Sequence, residues 1–114
     1  MDTSRMYSSS LPWKVLSSNV SLNVLTEGWN LASPEEGAEE EIRQFTVYVG
    51  FDTPFFEVPV VQLGLSGFDI DQRDSARLMV KAENITEFGF HATLTTWAGS
   101  RVYAAEVNWI AIGP

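Results

Sequence analysis

Three side chains in the second half of the chain could hold a polar ring-shaped ligand: Arg77, Trp97 and Tyr103. Trp97 stands immediately before Ala98-Gly99-Ser100, and Tyr103 follows that turn signal. A tryptophan at the mouth of a loop offers an apolar face that stacks on the C–H patch of a sugar or anchors a protein partner. The same residue could instead close the end of a core. Arg77 carries a planar fork of donors suited to vicinal hydroxyls or a carboxylate; taken alone it also reads as a surface charge beside Asp74.

Other chemistry is less well supported. The run Glu35, Glu36, Glu39, Glu40, Glu41 reads as a solvated acidic loop, or as a source of one carboxylate that accepts from a sugar hydroxyl or pairs with an arginine. Asp69, Asp71 and Asp74 hint at a calcium loop, but the following glycine and distal glutamate of an EF-hand are missing and Arg73 sits among the acids. A hydrophilic turn fits better. His91, the single histidine, lies mid-strand between Phe90 and Ala92 and reads as a partly exposed structural residue rather than a catalytic base. No spacing singles out a carboxylate pair for glycoside cleavage.

Composition narrows the field further. Fifteen Asp or Glu against seven Lys or Arg give 114 residues a net charge of -8, which disfavours nucleic acid as a partner. There is no cysteine, so disulfides, thiol nucleophiles and thiolate metal sites are excluded. A 45% hydrophobic and 12% aromatic content supports a buried core and rules out whole-chain disorder. No apolar run approaches the ~20 residues of a membrane span. The first residues show no apolar signal-peptide core. Two glycosylation sequons begin at Asn19 and Asn84, tripeptides that also arise by chance.

The elements that would position the candidate residues are strands. Hydrophobic period two recurs in Val20-Leu22-Val24, Phe45-Val47-Val49-Phe51, Val61-Leu63-Leu65, Leu78-Val80-Ala82, Phe90-Ala92-Leu94-Thr96 and Tyr103 to Ala111. Turn signals fall between them, at Asp52-Thr53-Pro54, Ser66-Gly67, Asp69 to Ser75, Glu87 to Gly89 and Ala98-Gly99-Ser100. About six short strands at this spacing predict an all-β antiparallel sandwich or barrel. Arg77 is expected to face outward on the fourth strand, and Trp97 at the end of the fifth. Residues 1–19 are expected to form a polar leader, with one folded domain over 20–114.

In order and spacing, five blocks resemble the H-type lectin domain of snail agglutinins and of the C-terminal part of discoidins. They are Phe55-Phe56-Glu57-Val58-Pro59-Val60-Val61, Arg77-Leu78-Met79-Val80, Ile85-Thr86-Glu87-Phe88-Gly89-Phe90, Thr96 to Tyr103 and Asn108 to Gly113. The resemblance spans roughly residues 20–113. It implies a six-stranded antiparallel β-sandwich assembling as a homotrimer, or as two trimers back to back. It further implies calcium-independent binding of galactose-type sugars, notably N-acetylgalactosamine, in shallow sites between protomers, with no cofactor. Carried over by position, the family's arginine falls on Arg77, its stacking tryptophan on Trp97 and its site tyrosine on Tyr103. An acidic residue would come from Glu39 to Glu41, with Glu40 as the assigned position.

Two departures stand out. Ala98 occupies a position that is commonly histidine in the agglutinins, so a sugar contact is missing and the preference could be altered. The family's disulfide is also absent. The expectation is therefore a non-enzymatic, multivalent adhesion or agglutination lectin, with a surface-associated or extracellular role implied by the resemblance. The alternative is a trimeric structural or attachment module, of a surface or virus-like particle, whose sugar site has degenerated. A glycoside hydrolase is the third reading.

Overall fold

Six antiparallel strands form two three-stranded sheets, the sandwich rather than the barrel of the two architectures that the period-two pattern allows. The computed structural model describes residues 11–34 and 41–114. The strands are β1 (Lys14–Asn23), β2 (Arg43–Gly50), β3 (Val60–Ile70), β4 (Met79–Glu83), β5 (Gly89–Thr96) and β6 (Val102–Gly113). One sheet has the order β1-β6-β3 and the other β2-β5-β4. Each sheet thus has a central strand flanked by two edges, and the candidate residues cluster around the turn that joins the two central strands.

The inner faces follow the alternation. Phe90, Ala92 and Leu94 of β5 meet Ala105, Val107, Trp109 and Ala111 of β6, and all are buried. The core has two halves. Phe51, Phe55, Phe90 and Trp109 form an aromatic group with ring centroids 5.1–5.9 Å apart, in tilted and edge-on arrangements that suit the ring quadrupole. Toward the candidate site, Leu22, Leu31, Leu94, Val102 and Val107 make an aliphatic group, with Trp29 and Phe45 against it. Trp29 Nε1 donates to the Val102 carbonyl at 2.9 Å, so the indole satisfies its polar atom while covering the start of β6.

Three boundaries differ from the sequence expectation. β1 begins at Lys14 and pairs with β6 over its whole length, from Lys14 opposite Gly113 to Asn23 opposite Ala104. Residues 14–19, expected in the polar leader, are therefore part of the sandwich; their exposed serines face solvent from an edge strand. β3 runs straight through Ser66-Gly67, expected as a turn, because register shifts between Leu65 and Gly67 and between Asp69 and Ile70 absorb the break in alternation. Arg77 stands two residues before β4 rather than on it.

On β5 the outward residues Thr93 and Thr95 are also buried, at 4% and 8% exposure. The strand is central, and its neighbours close over these short side chains. Thr93 and Thr46 hydroxyls are 3.2 Å apart, Thr93 Oγ1 donates to Glu83 at 2.7 Å, and Gln44 donates to Thr95 at 3.4 Å. His91 lies edge-on to Tyr48, in keeping with a structural role.

Candidate functional site

The site is built around the five residues that join β5 to β6. Thr96 ends β5 and Val102 begins β6, leaving Trp97 to Arg101 to reverse the chain. Ala98 takes φ +56°, in the left-handed region that a side-chain-bearing residue seldom adopts. Something must hold that conformation. Arg43, the first residue of β2, lies behind the turn and is only 9% exposed. Its Nη2 donates to the carbonyls of Ala98 (3.0 Å) and Ser100 (2.7 Å), and its Nη1 to that of Leu31 (3.3 Å). One guanidinium thereby ties the turn to the segment after β1.

A second set of bonds attaches the approach to β4. Thr96 Oγ1 donates to the Arg77 carbonyl, and the fully buried Ser100 Oγ donates to that of Ser75. Ser100 Oγ also accepts from Arg77 Nη1 at 3.1 Å, and the same nitrogen reaches Asp74 Oδ1 at 3.4 Å. The Asp74 carboxylate lies against Gly99 so closely that a Cβ there would overlap its Oδ2. Only glycine at 99 leaves the Asp74 carboxylate where it is, and Asp74 is placed there to steer Arg77.

Tyr103 belongs to a third set. Its hydroxyl donates to Asp71 Oδ2 at 2.7 Å. Asp71 is gripped by Arg73 through Nη2 to Oδ2 (2.6 Å), through Nε to both oxygens (3.0 Å each) and through the backbone N–H (2.8 Å). These bonds, with Arg73 first and Tyr103 second, hold the Asp71 carboxyl well below the usual carboxylate range and raise the Arg73 guanidinium above its ordinary value. With its proton committed to Asp71, the Tyr103 oxygen keeps only lone pairs for a ligand. The aspartates read from the sequence as a hydrophilic turn are thus salt-bridged side chains, Asp71 with Arg73 and Asp74 with Arg77.

Between these sets lies an open hollow of about 460 Å³, lined by Pro34, Arg73, Asp74, Arg77, Ala98, Gly99 and Arg101. Arg77 is in it. Trp97 adjoins it through Ala98 and is 36% exposed, so the indole is neither sealed in the core nor fully free. Tyr103 does not line the hollow and connects to it through Asp71 and Arg73. Glu40 lies outside the described residues; Glu41 is exposed. A larger hollow of about 540 Å³ sits on the outer face of the β1-β6-β3 sheet, lined by Ser17, Asn19, Gln62, Gly64, Asn108 and neighbours without an ionisable side chain. The smaller one has the charged donors and the exposed ring beside it.

Sequence reasoning found Arg77, Trp97 and Tyr103 but not Arg43, Arg73 or Arg101. No position in the sequence marked them, and only the fold brings them together. The chain has only seven basic residues, and four of them, Arg43, Arg73, Arg77 and Arg101, meet at this one end.

A small β-sandwich with four arginines and a part-exposed indole around one end has the build of a ligand-binding module. Residues 46–112 match the H-type lectin domain. The chain belongs to the H-type lectin domain family, a fold and family that point to carbohydrate binding rather than to an enzyme. Among solved structures, recombinant discoidin II of Dictyostelium discoideum superposes with a TM-score of 0.75 at 28% identity, covering 95% of this chain. Wild-type discoidin II from the same organism gives 0.76 at 27% identity over 96%. This chain spans 39% of the discoidin II chain in both. A protein from Fuscovulum blasticum described as ATP synthase subunits region ORF 7 is 38% identical over 71 residues, 62% of each chain.

Proposed function

We propose that the chain is a calcium-independent lectin for galactose- or N-acetylgalactosamine-type sugars, with sites between the subunits of a homotrimer and a role in multivalent adhesion or agglutination. The observation that carries this reading is the pairing of Arg77, presented in an open hollow, with the part-exposed indole of Trp97 one residue from its edge. A guanidinium fork fixes hydroxyl directions, and an indole face covers the apolar side of a pyranose. Tyr103, bonded to Asp71 outside the hollow, is the proposed further acceptor for a glycan that extends past Arg73. Glu40 is the proposed carboxylate contributed from the loop before β2. Open sites of this kind bind single sugars weakly, and repeated copies raise avidity by ~10²–10⁴ where spacing allows.

A glycan array on the wild type beside Trp97→Ala and Arg77→Ala, with mass measured by light scattering, tests this reading. Binding by the wild type at trimer mass, with loss in both variants, is the expected result. A monomer that binds nothing on the array defeats it.

Ala98 favours a second reading. Its methyl group offers no hydrogen bond on the rim of the hollow, which suits a trimeric attachment module whose sugar site has degenerated. That reading expects the trimer mass with an empty array.

A further inference from the structure

The arginines around the hollow are unequally neutralised. Arg73 is paired with Asp71, and Arg77 reaches Asp74 at the longer distance of 3.4 Å. Among the described residues, no carboxylate pairs with Arg101 or Arg43. Arg43 is held by three carbonyl oxygens instead, and its buried Nε has no hydrogen-bond partner there. Carbonyls satisfy N–H groups but leave the positive charge uncancelled.

Two like charges therefore stand close together at one end of a protein whose net charge is -8. Burial lowers the Arg43 guanidinium pKa, and the neighbouring Arg101 charge lowers it further. A cluster of guanidinium groups without counter-ions is costly to assemble in folding, and the cost is offset where an anion enters. Folding places Arg101 on the wall of the open hollow, so such an anion would come from solvent.

We propose that the hollow binds the anionic substituent, a carboxylate or a sulfate ester, of an acidic sugar, with Arg101 and Arg77 as its donors. This rests on the lectin reading and names the substrate class within it. The sugar ring lies toward Trp97 and its charged group points at Arg101 and Arg77, while Asp74, which also lines the hollow, stays on the far side of Arg77 as its ion-pair partner. Bidentate guanidinium contacts match the flat oxygen pair of a carboxylate and two of the three oxygens of a sulfate. Ala98 fits this arrangement, since a small side chain on the rim leaves the charged group room to pass.

Matched pairs test it: galactose against galacturonic acid, N-acetylgalactosamine against its 6-sulfate, and lactose against sialyllactose. Each is titrated into the intact chain by calorimetry at roughly 50 and 500 mM salt. The carboxylate and sulfate arms separate the two sources of charge. The acidic member of at least one pair is expected to bind about tenfold tighter at low salt, with the advantage shrinking at high salt. Arg101→Gln is expected to remove that advantage, lowering affinity for the acidic member far more than for the neutral one. Its melting temperature should stand at or above that of the wild type, as the repulsion with Arg43 is relieved. Arg101→Lys should retain part of it.

Neutral binding without an acidic preference overturns this inference and leaves the lectin reading standing, as would follow if a carboxylate of the chain itself filled the hollow. An acidic preference that survives Arg101→Gln also overturns it. No binding by either member of any pair overturns both readings.

Discussion

The Arg43 guanidinium, rooted in the first residue of β2, donates to the Ala98 carbonyl at 3.0 Å on the inner side of the turn between β5 and β6. The two residues are 55 positions apart in sequence, and between them they fix the backbone on which the candidate site is built.

Replacing Arg43 with Gln shortens the side chain and strands the Ala98 and Ser100 carbonyls, while that of Leu31 keeps its bond from the Val102 N–H at 2.7 Å. A loss of about 3 kcal/mol is expected, from buried acceptors left unpaired. Urea denaturation followed by tryptophan fluorescence measures it. A loss below ~1 kcal/mol would show that water replaces the guanidinium without difficulty.

Ala98 sits at φ +56°, a region that asparagine visits with ease and β-branched residues avoid. Ala98→Asn should change stability by less than ~0.5 kcal/mol, whereas Ala98→Val should cost roughly 2 kcal/mol. The paired melting curves are the check; equal behaviour of the two variants would mean that the turn relaxes to another conformation.

Gly99→Ala puts a methyl group where the Asp74 carboxylate lies. Asp74 is 43% exposed and can swing outward, so stability should fall by less than ~1 kcal/mol. Arg77 then loses its steering partner. Sugar affinity should fall severalfold while the fold is kept, and an unchanged affinity would show that Asp74 does not orient Arg77.

Asp71 supplies a pH signature. Its folded pKa is depressed by Arg73 and Tyr103, so its stabilising effect is complete above the unfolded carboxylate value near ~3.9. The effect is lost as pH falls below that value toward the folded one. The stability gap between wild type and Asp71→Asn should stay constant from pH 7 to about 4 and close below it. A gap that closes already between pH 7 and 5 would contradict the depressed pKa.

Much of the architecture was legible because period two survives wherever a strand has one wet face. Phe45 and Val47 announce β2 in this way. Thr93 and Thr95 could not announce their burial, because it follows from the position of β5 between two neighbours, which alternation does not encode. The serine-rich start of β1 hid a strand, since an edge strand with a solvent face needs few apolar residues. At the site, Arg77, Trp97 and Tyr103 were readable as types beside a turn. Arg43 was not, as its role depends on contacts with Leu31, Ala98 and Ser100 made only after the sheets close. Arg73 and Arg101 were individually unremarkable, and only their convergence carries meaning.

The pairing of β1 with β6 places Lys14 directly beside Gly113, at the pole opposite the turn from Trp97 to Arg101. Lys14 is pinned there by bonds to Thr53 and Pro54. The first residue of β1 and the last of β6 thus close one pole of the sandwich, and the full length of β6 separates that pole from the arginine-rich tip.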